Sequence, residues 1–162
     1  MPKTKSWRSR IVEHAAVDPA TLLANPKNWR THPAAQAAAV GDALTQVGWV
    51  TSVVVNKRTG HILDGHLRVK SAVDRGEPTV PVVYVELSEE EEEIVLLSLD
   101  PLAAMAVTDQ ERLSELLAGV TAQGEALAAV LQSMEPAPVA VIKPHRCPAV
   151  ALLSEDPAQR YD

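Results

Sequence analysis

Between Lys57 and Ala72 the chain reads KRTGHILDGHLRVKSA, and no other stretch limits the possible folds so strongly. A polar turn is followed by the short apolar run Ile62–Leu63, and a helical pattern opens at Asp64-Gly65. A turn, an extended arm and a helix start in such close succession place a sheet and a helix N-terminus at one point. Asp64 is expected to cap that helix, because its carboxylate can accept the free backbone N–H groups of the first turn. Leu67, Ala72 and Val73 supply its inward face, and Gly65 lets the backbone approach whatever sits at the helix start. Arg68 stands at the end of the first turn. Exposed N–H groups, a glycine and an arginine together make a ready site for an anion, phosphate above all.

The segments on either side predict alternating strands and helices. Arg10 to Val17 reads as a first strand, Asp18-Pro19 ends it, and ATLLA makes a short helical turn. NPKNWRTHP at 25–33 is a loop bracketed by Pro26 and Pro33. Pro33 to Val47 forms an Ala-rich helix stopped by Gly48. WVTSVVVN at 49–56 has the β-branched density of a buried strand, and His61–Leu63 pairs back on it. After the central helix, which ends at Arg75-Gly76, VPVVYVEL at 80–87 is a further strand. The fold class is therefore α+β, with mixed layers of strand and helix.

The second half is helical. Ser88 and Glu91 form a capping box ahead of a helix whose inner face is Ile94, Leu97 and Leu96, with Pro101 breaking it after Asp100. Glu89–Glu93 is a run of five acids, expected to point to water. A helix from Thr108, capped with Glu111, buries Leu113, Leu116, Leu117 and Val120, and Ala126–Met134 is the last amphipathic piece. Five of the 12 prolines fall after Glu135, so 135–162 reads as a linker or disordered tail. Residues 1–9, basic and without an acid, read as a flexible arm. The domain proper is thus expected over 10–134, with a sheet core at 10–87 and a helical part at 88–134.

At 162 residues and 46% hydrophobic, the chain can bury one core, built from Ala, Val and Leu, since it has no Phe. Residues 1–86 carry 11 Lys/Arg against 7 Asp/Glu, whereas 87–162 carry 4 against 14. A general DNA-coating protein would be basic throughout, so contact with nucleic acid should be local. The single cysteine, Cys147, excludes an internal disulfide and a multi-cysteine zinc site. No apolar run has the length of a membrane span, and MPKTKSWRSR lacks an apolar centre, so the expected location is cytoplasmic without membrane contact.

Three boxes in order carry a family resemblance: NPKNWRTHP with Gln36, then DGHLR at 64–68 after a TG turn, then the run from Leu87 to LDPLAAMA and Asp109. Over about 11–118, roughly two-thirds of the chain, they resemble ParB-like domains of the ParB/sulfiredoxin fold. The likeness is to the branch reading DGHxR, which includes phage-type proteins fused to DNA methyltransferases and the free-serine kinases. It implies a small mixed sheet packed with helices and followed by C-terminal helices. It also implies one pocket in which Gly65, His66, Arg68, Asn28, Arg30, His32 and Thr59 hold a phosphate or nucleotide. Asp64, His66 and Glu13 are the candidates for catalysis there. No protein-only metal site is implied; magnesium would arrive with a nucleotide. Expected partners are a nucleotide or DNA phosphate, and a DNA methyltransferase or other phage DNA-processing protein.

The boxes also depart from their relatives. The arginine-rich CTP box of partition proteins is replaced by His66-Leu67 before a single Arg68, serine kinases have a second His where Leu67 stands, and the sulfiredoxin cysteine is missing from the box. In methyltransferase fusions a catalytic domain would follow the tail, so the chain is expected to be a free-standing ParB-like protein or the remnant of a longer one. Two function classes stay open: a phosphate-, nucleotide- or DNA-binding module, and an NTPase, phosphotransferase or nuclease using the same pocket.

Overall fold

A computed structural model describes residues 6–135; the arm before residue 6 and the 136–162 tail with Cys147 lie outside the described residues. Four strands form one mixed sheet: β1 (Ile11–Val17), β2 (Val53–Asn56), β3 (Ile62–Asp64) and β4 (Val80–Val85), in spatial order β1-β4-β2-β3. β2 and β4 are parallel, a pairing that needs a long connection, supplied here by 57–79 with β3 and a helix, while β1 on β4 and β3 on β2 are antiparallel. That helix is α2 (His66–Arg75). α1 (Ala34–Val47) precedes β2, and α3 (Glu89–Ala104), α4 (Gln110–Ala118) and α5 (Glu125–Ser133) follow β4. The α+β class and the mixed sheet with trailing helices are what the molecule has.

Side-chain alternation along the strands divides the core. Val53, Val55, Ile62, Val80 and Val82 pack with Val69 and Ala72 of α2 on one face. Leu63 points the other way and joins Leu87 and Leu96 under α3. Fully burying an aliphatic side chain of this size contributes about 1.5–3 kcal/mol relative to leaving it in water. Substituting the central valines would therefore cost most. β1, at the sheet edge, is far more open, with Ile11 and Val12 about half exposed.

The helical half differs from the sequence expectation in three ways. α3 carries Pro101 inside it and runs on to Ala104, so proline does not end the helix after Asp100. Its buried positions are Glu92 and Leu96, whereas Ile94 and Leu97 are each 63% exposed. Residues four apart share a helix face, so burying Leu96 carries Glu92 inward and turns Ile94 and Leu97 out. α4 is capped by Asp109, one residue past the expected Thr108, and buries nothing; Leu116 and Val120 are exposed. α5 docks instead on α1. Asp42 Oδ2 accepts the Leu127 N–H (3.0 Å), and Gln46 brackets the preceding loop by donating to Thr121 O and accepting from Gln123 N–H (2.9 Å each). Among the described residues no helix is long and apolar enough to cross a membrane.

Candidate functional site

β3 delivers Asp64 to its end, and the chain turns into α2 at Gly65, whose φ of 98° lies in the left-handed region. A side chain there would be strained, and a Cβ would also press on Arg68 Nη2 and Val53 Cγ2 at 3.3 Å each. Gly65 is the N-cap residue, and among the described residues no side chain bonds the first turn of α2. The expectation that Asp64 caps the helix is thus corrected. Its carboxylate belongs to the strand and accepts from Arg68 Nη2 at 2.7 Å. The consequence is a helix N-terminus whose first N–H groups carry no protein cap, which leaves its positive end open to an anion.

In front of this helix start lies a cavity of about 210 Å³, lined by Asn28, Arg30 and His32 of the 25–33 loop, Gln36 and Val40 of α1, Asp64–Arg68, and Asp100 of α3. The loop and the central box, separate in sequence, thus meet. Both arginines are held in place. Arg68 bonds Asp64 and the Thr51 hydroxyl. Arg30 pairs with Asp100 (2.8 Å), donates to Leu96 O (3.3 Å) and lies over the Trp29 ring, 5.3 Å from its centroid. A guanidinium pinned by a carboxylate on one edge keeps other N–H donors for a ligand and loses little rotamer freedom on binding. His32 Nδ1 lies 3.0 Å from Gln36 Oε1, and Asn28 Oδ1 accepts from the Arg30 backbone N–H.

His66 opens α2 with Nε2 accepting the Asn25 backbone N–H at 3.3 Å. Burial pushes its pKa below the ordinary imidazole value; the Asp64 charge opposes that, and Arg30 and His32 add to it. The ring is therefore neutral at neutral pH.

Two expected members lie elsewhere. Glu13 sits on β1, at the opposite sheet edge from β3, where it takes an ion pair from Lys57 at 2.7 Å. Thr59 donates to Glu92 Oε2 at 2.7 Å in a second polar cluster behind the loop. That cluster is the main feature that sequence reasoning missed. Glu92 is 5% exposed and its carboxylate also accepts from Asn25 Nδ2 (2.7 Å) and Asn56 Nδ2 (2.6 Å), with His61 Nδ1 at 3.4 Å. Burial alone would raise the Glu92 pKa, but the bonds from Thr59, Asn56, Asn25 and His61 together hold it below the ordinary carboxylate value. The one available signal was Leu96, four residues on, which had to share its face. His61 faces Glu92, so it does not join Asp64 and His66, and among the described residues no group of three or more His, Cys, Asp or Glu is placed to hold a metal ion.

No protein-family model and no curated protein sequence matches the chain. Solved structures do. The C-terminally truncated chromosome-partitioning protein ParB from Caulobacter crescentus, complexed with CTP-gamma-S, matches with a TM-score of 0.51 and 21% identity over 66% of this chain. The match spans 61% of that ParB chain. A Pnob8-like ParB-N domain matches at a TM-score of 0.46 with 11% identity, covering 68% of this chain and 47% of that one. At such identities what is shared is the backbone arrangement, and that arrangement, a four-stranded mixed sheet with a crossover helix and trailing helices, is a ParB-like fold.

Proposed function

We propose that the chain is a phosphate-recognising module that binds a nucleotide, or the phosphates of DNA, at the N-terminus of α2. The observation that carries this is the cavity itself: an uncapped helix start, Gly65 in the left-handed conformation and two pre-paired arginines face one space. The ParB with a ParB-like sheet was solved with CTP-gamma-S, which supports a nucleotide as the first ligand to try. The donor set also fits a nucleotide with magnesium, because Asp64 and Asp100 are the carboxylates at the cavity that would share in holding the metal. Bound there, the metal would neutralise phosphate charge.

The order of the NPKNWRTHP, DGHLR and LDPLAAMA boxes supports a setting in DNA modification, replication or partition of a phage or other mobile element. A DNA methyltransferase or another phage DNA-processing protein is the partner this setting offers. Genes beside its own that encode neither would remove that support. The turnover reading, as an NTPase, phosphotransferase or nuclease, rests on Asp64 and His66 lining the same cavity. It is weakened by Glu13, the third candidate, standing at the far sheet edge. Titrating ATP, GTP, CTP and UTP with magnesium, and a short DNA duplex at two salt concentrations, against wild type and Arg68→Ala tests both. Binding lost in the variant supports the module, release of product adds turnover, and equal behaviour of the two proteins ends the proposal.

A further inference from the structure

The buried Glu92 cluster and the cavity are joined through one residue. Asn25, itself 4% exposed, donates from its side chain to Glu92 and from its backbone to His66 Nε2. Its side-chain oxygen in turn accepts the Lys27 N–H at 2.9 Å, so the residue is held on both sides. A backbone N–H can only donate, so the His66 nitrogen facing it must carry a lone pair. The proton of a neutral ring then resides on Nδ1, and which nitrogen bears it is set by the partner of the other. Nδ1 has no hydrogen-bond partner among the described residues and is not a buried unsatisfied atom, so it reaches solvent.

We propose that Glu92 is a positioning residue for the cavity: through Asn25 it fixes His66 in the Nδ1–H tautomer, making that imidazole a neutral hydrogen-bond donor to the bound anion. The statement about the ligand rests on the phosphate-binding reading above; the statement about the tautomer does not. Two geometric features support it. Glu92 receives donors from three separate segments, Asn25 of the loop, Asn56 at the end of β2 and Thr59 of the turn, so the loop's height above the helix start is set from α3. The carboxylate has no spare polar atom for another role, since both of its oxygens are occupied. The lowered His66 pKa agrees with a ring that stays neutral while a backbone donor faces it.

Long-range proton–nitrogen correlation spectra of the free protein, taken on the slightly alkaline side of neutrality, read the tautomer directly. Wild type is expected to show His66 protonated on Nδ1. Glu92→Gln, which replaces an accepting oxygen by a donor, is expected to move it to a mixture or to the Nε2–H form, which free imidazole favours. Asn25→Ala keeps the backbone N–H but removes its anchor, and serves if Glu92→Gln does not fold. Glu90→Gln, on the exposed side of the same helix, is the control and leaves the ring as in wild type. A wild-type His66 carrying its proton on Nε2, or one unmoved in folded Glu92→Gln and Asn25→Ala proteins, overturns the relay.

Inorganic pyrophosphate is the ligand probe. Asn25→Ala is expected to weaken its binding about tenfold or less, with no further loss when combined with His66→Ala; an independent, additive loss overturns the link to the ligand. Failure of wild type to bind pyrophosphate, nucleotide or duplex would defeat the phosphate-binding reading and the donor role with it, while the tautomer result would still decide the relay.

Discussion

Two carboxylates less than thirty residues apart in sequence have opposite fates here. The Glu92 side chain is 7% exposed with both oxygens bonded, while that of Asp64 is 35% exposed and bonded through one. The first is a closed cluster, in which every donor has its acceptor and a newcomer would have to displace one. The second is an open pair, in which Arg68 is held yet accessible, so an incoming anion can share or exchange the contact. Burial and saturation, more than residue type, separate scaffold from site.

The contrast can be broken from the closed side first. Glu92→Leu leaves the Asn25 amide and the Thr59 hydroxyl without their acceptor, while Asn56 keeps only Leu87 O, at a cost of about 1–3 kcal/mol for each unsatisfied group. Urea unfolding should show a loss of that order, and a loss within a few tenths would mean that water already enters the cluster. On the open side, Arg68→Ala should unfold nearly as wild type does but bind nucleotide less well by about 1.5–3 kcal/mol. That is roughly a ten- to hundredfold change in Kd by titration calorimetry. Arg68→Lys should recover only part, because it keeps the charge and loses the paired donors; full recovery would reduce Arg68 to a point charge.

Acid should act on the two regions at different pH. Glu92, and Glu91 at the Arg10 ion pair, are held below the ordinary carboxylate value, Glu91 at about 2, by the Arg10 bond first and the Ser88 N–H second. Such groups lend stability that is complete above the unfolded carboxylate pKa and drains as pH falls through the folded value. His66 is depressed too, so the unfolded chain takes up its proton first, and stability begins to fall as pH drops through the ordinary imidazole range, about 6.5. Stability against pH should therefore decline in two steps. His66→Gln should abolish the upper and Glu92→Gln diminish the lower, and a single carboxylate step in wild type would refute the assignment. Smaller still, Glu90→Gln with Glu93→Gln should leave the urea midpoint nearly unchanged, since the Lys27–Glu93 pair is half exposed and screened by water. Removing 136–162 should shift the Tm hardly at all, and a drop of several degrees by scanning calorimetry would place the domain boundary further on.

The sequence was most legible where local chemistry and tertiary structure agree. The Ser88–Glu91 capping box, the Gly48 and Gly76 stops, the β-branched strands and the meeting of DGHLR with Asn28, Arg30 and His32 all follow from residue pattern or resemblance and are present. It misled where a tertiary partner decided the outcome. Asp64 is a good cap by type, yet Arg68 takes its carboxylate. Five successive acids look solvated, yet one faces three donors from distant segments that no window of sequence could assemble. Pro101 sits inside α3, and of the four apolar residues expected to be buried by the next helix only Leu113 and Leu117 are even half-buried.

The borrowed cap of α5 bears on the order of events during folding. Asp42 and Leu127 stand 85 residues apart, and closing so long a loop carries an entropic cost that earlier contacts must already have reduced. A nine-residue helix is marginal by itself in water, so α5 has no independent existence before α1 is in place to receive it. Synthesis of the sheet therefore does not complete this arrangement: α5, the last helix among the described residues, must reach back across everything made since α1.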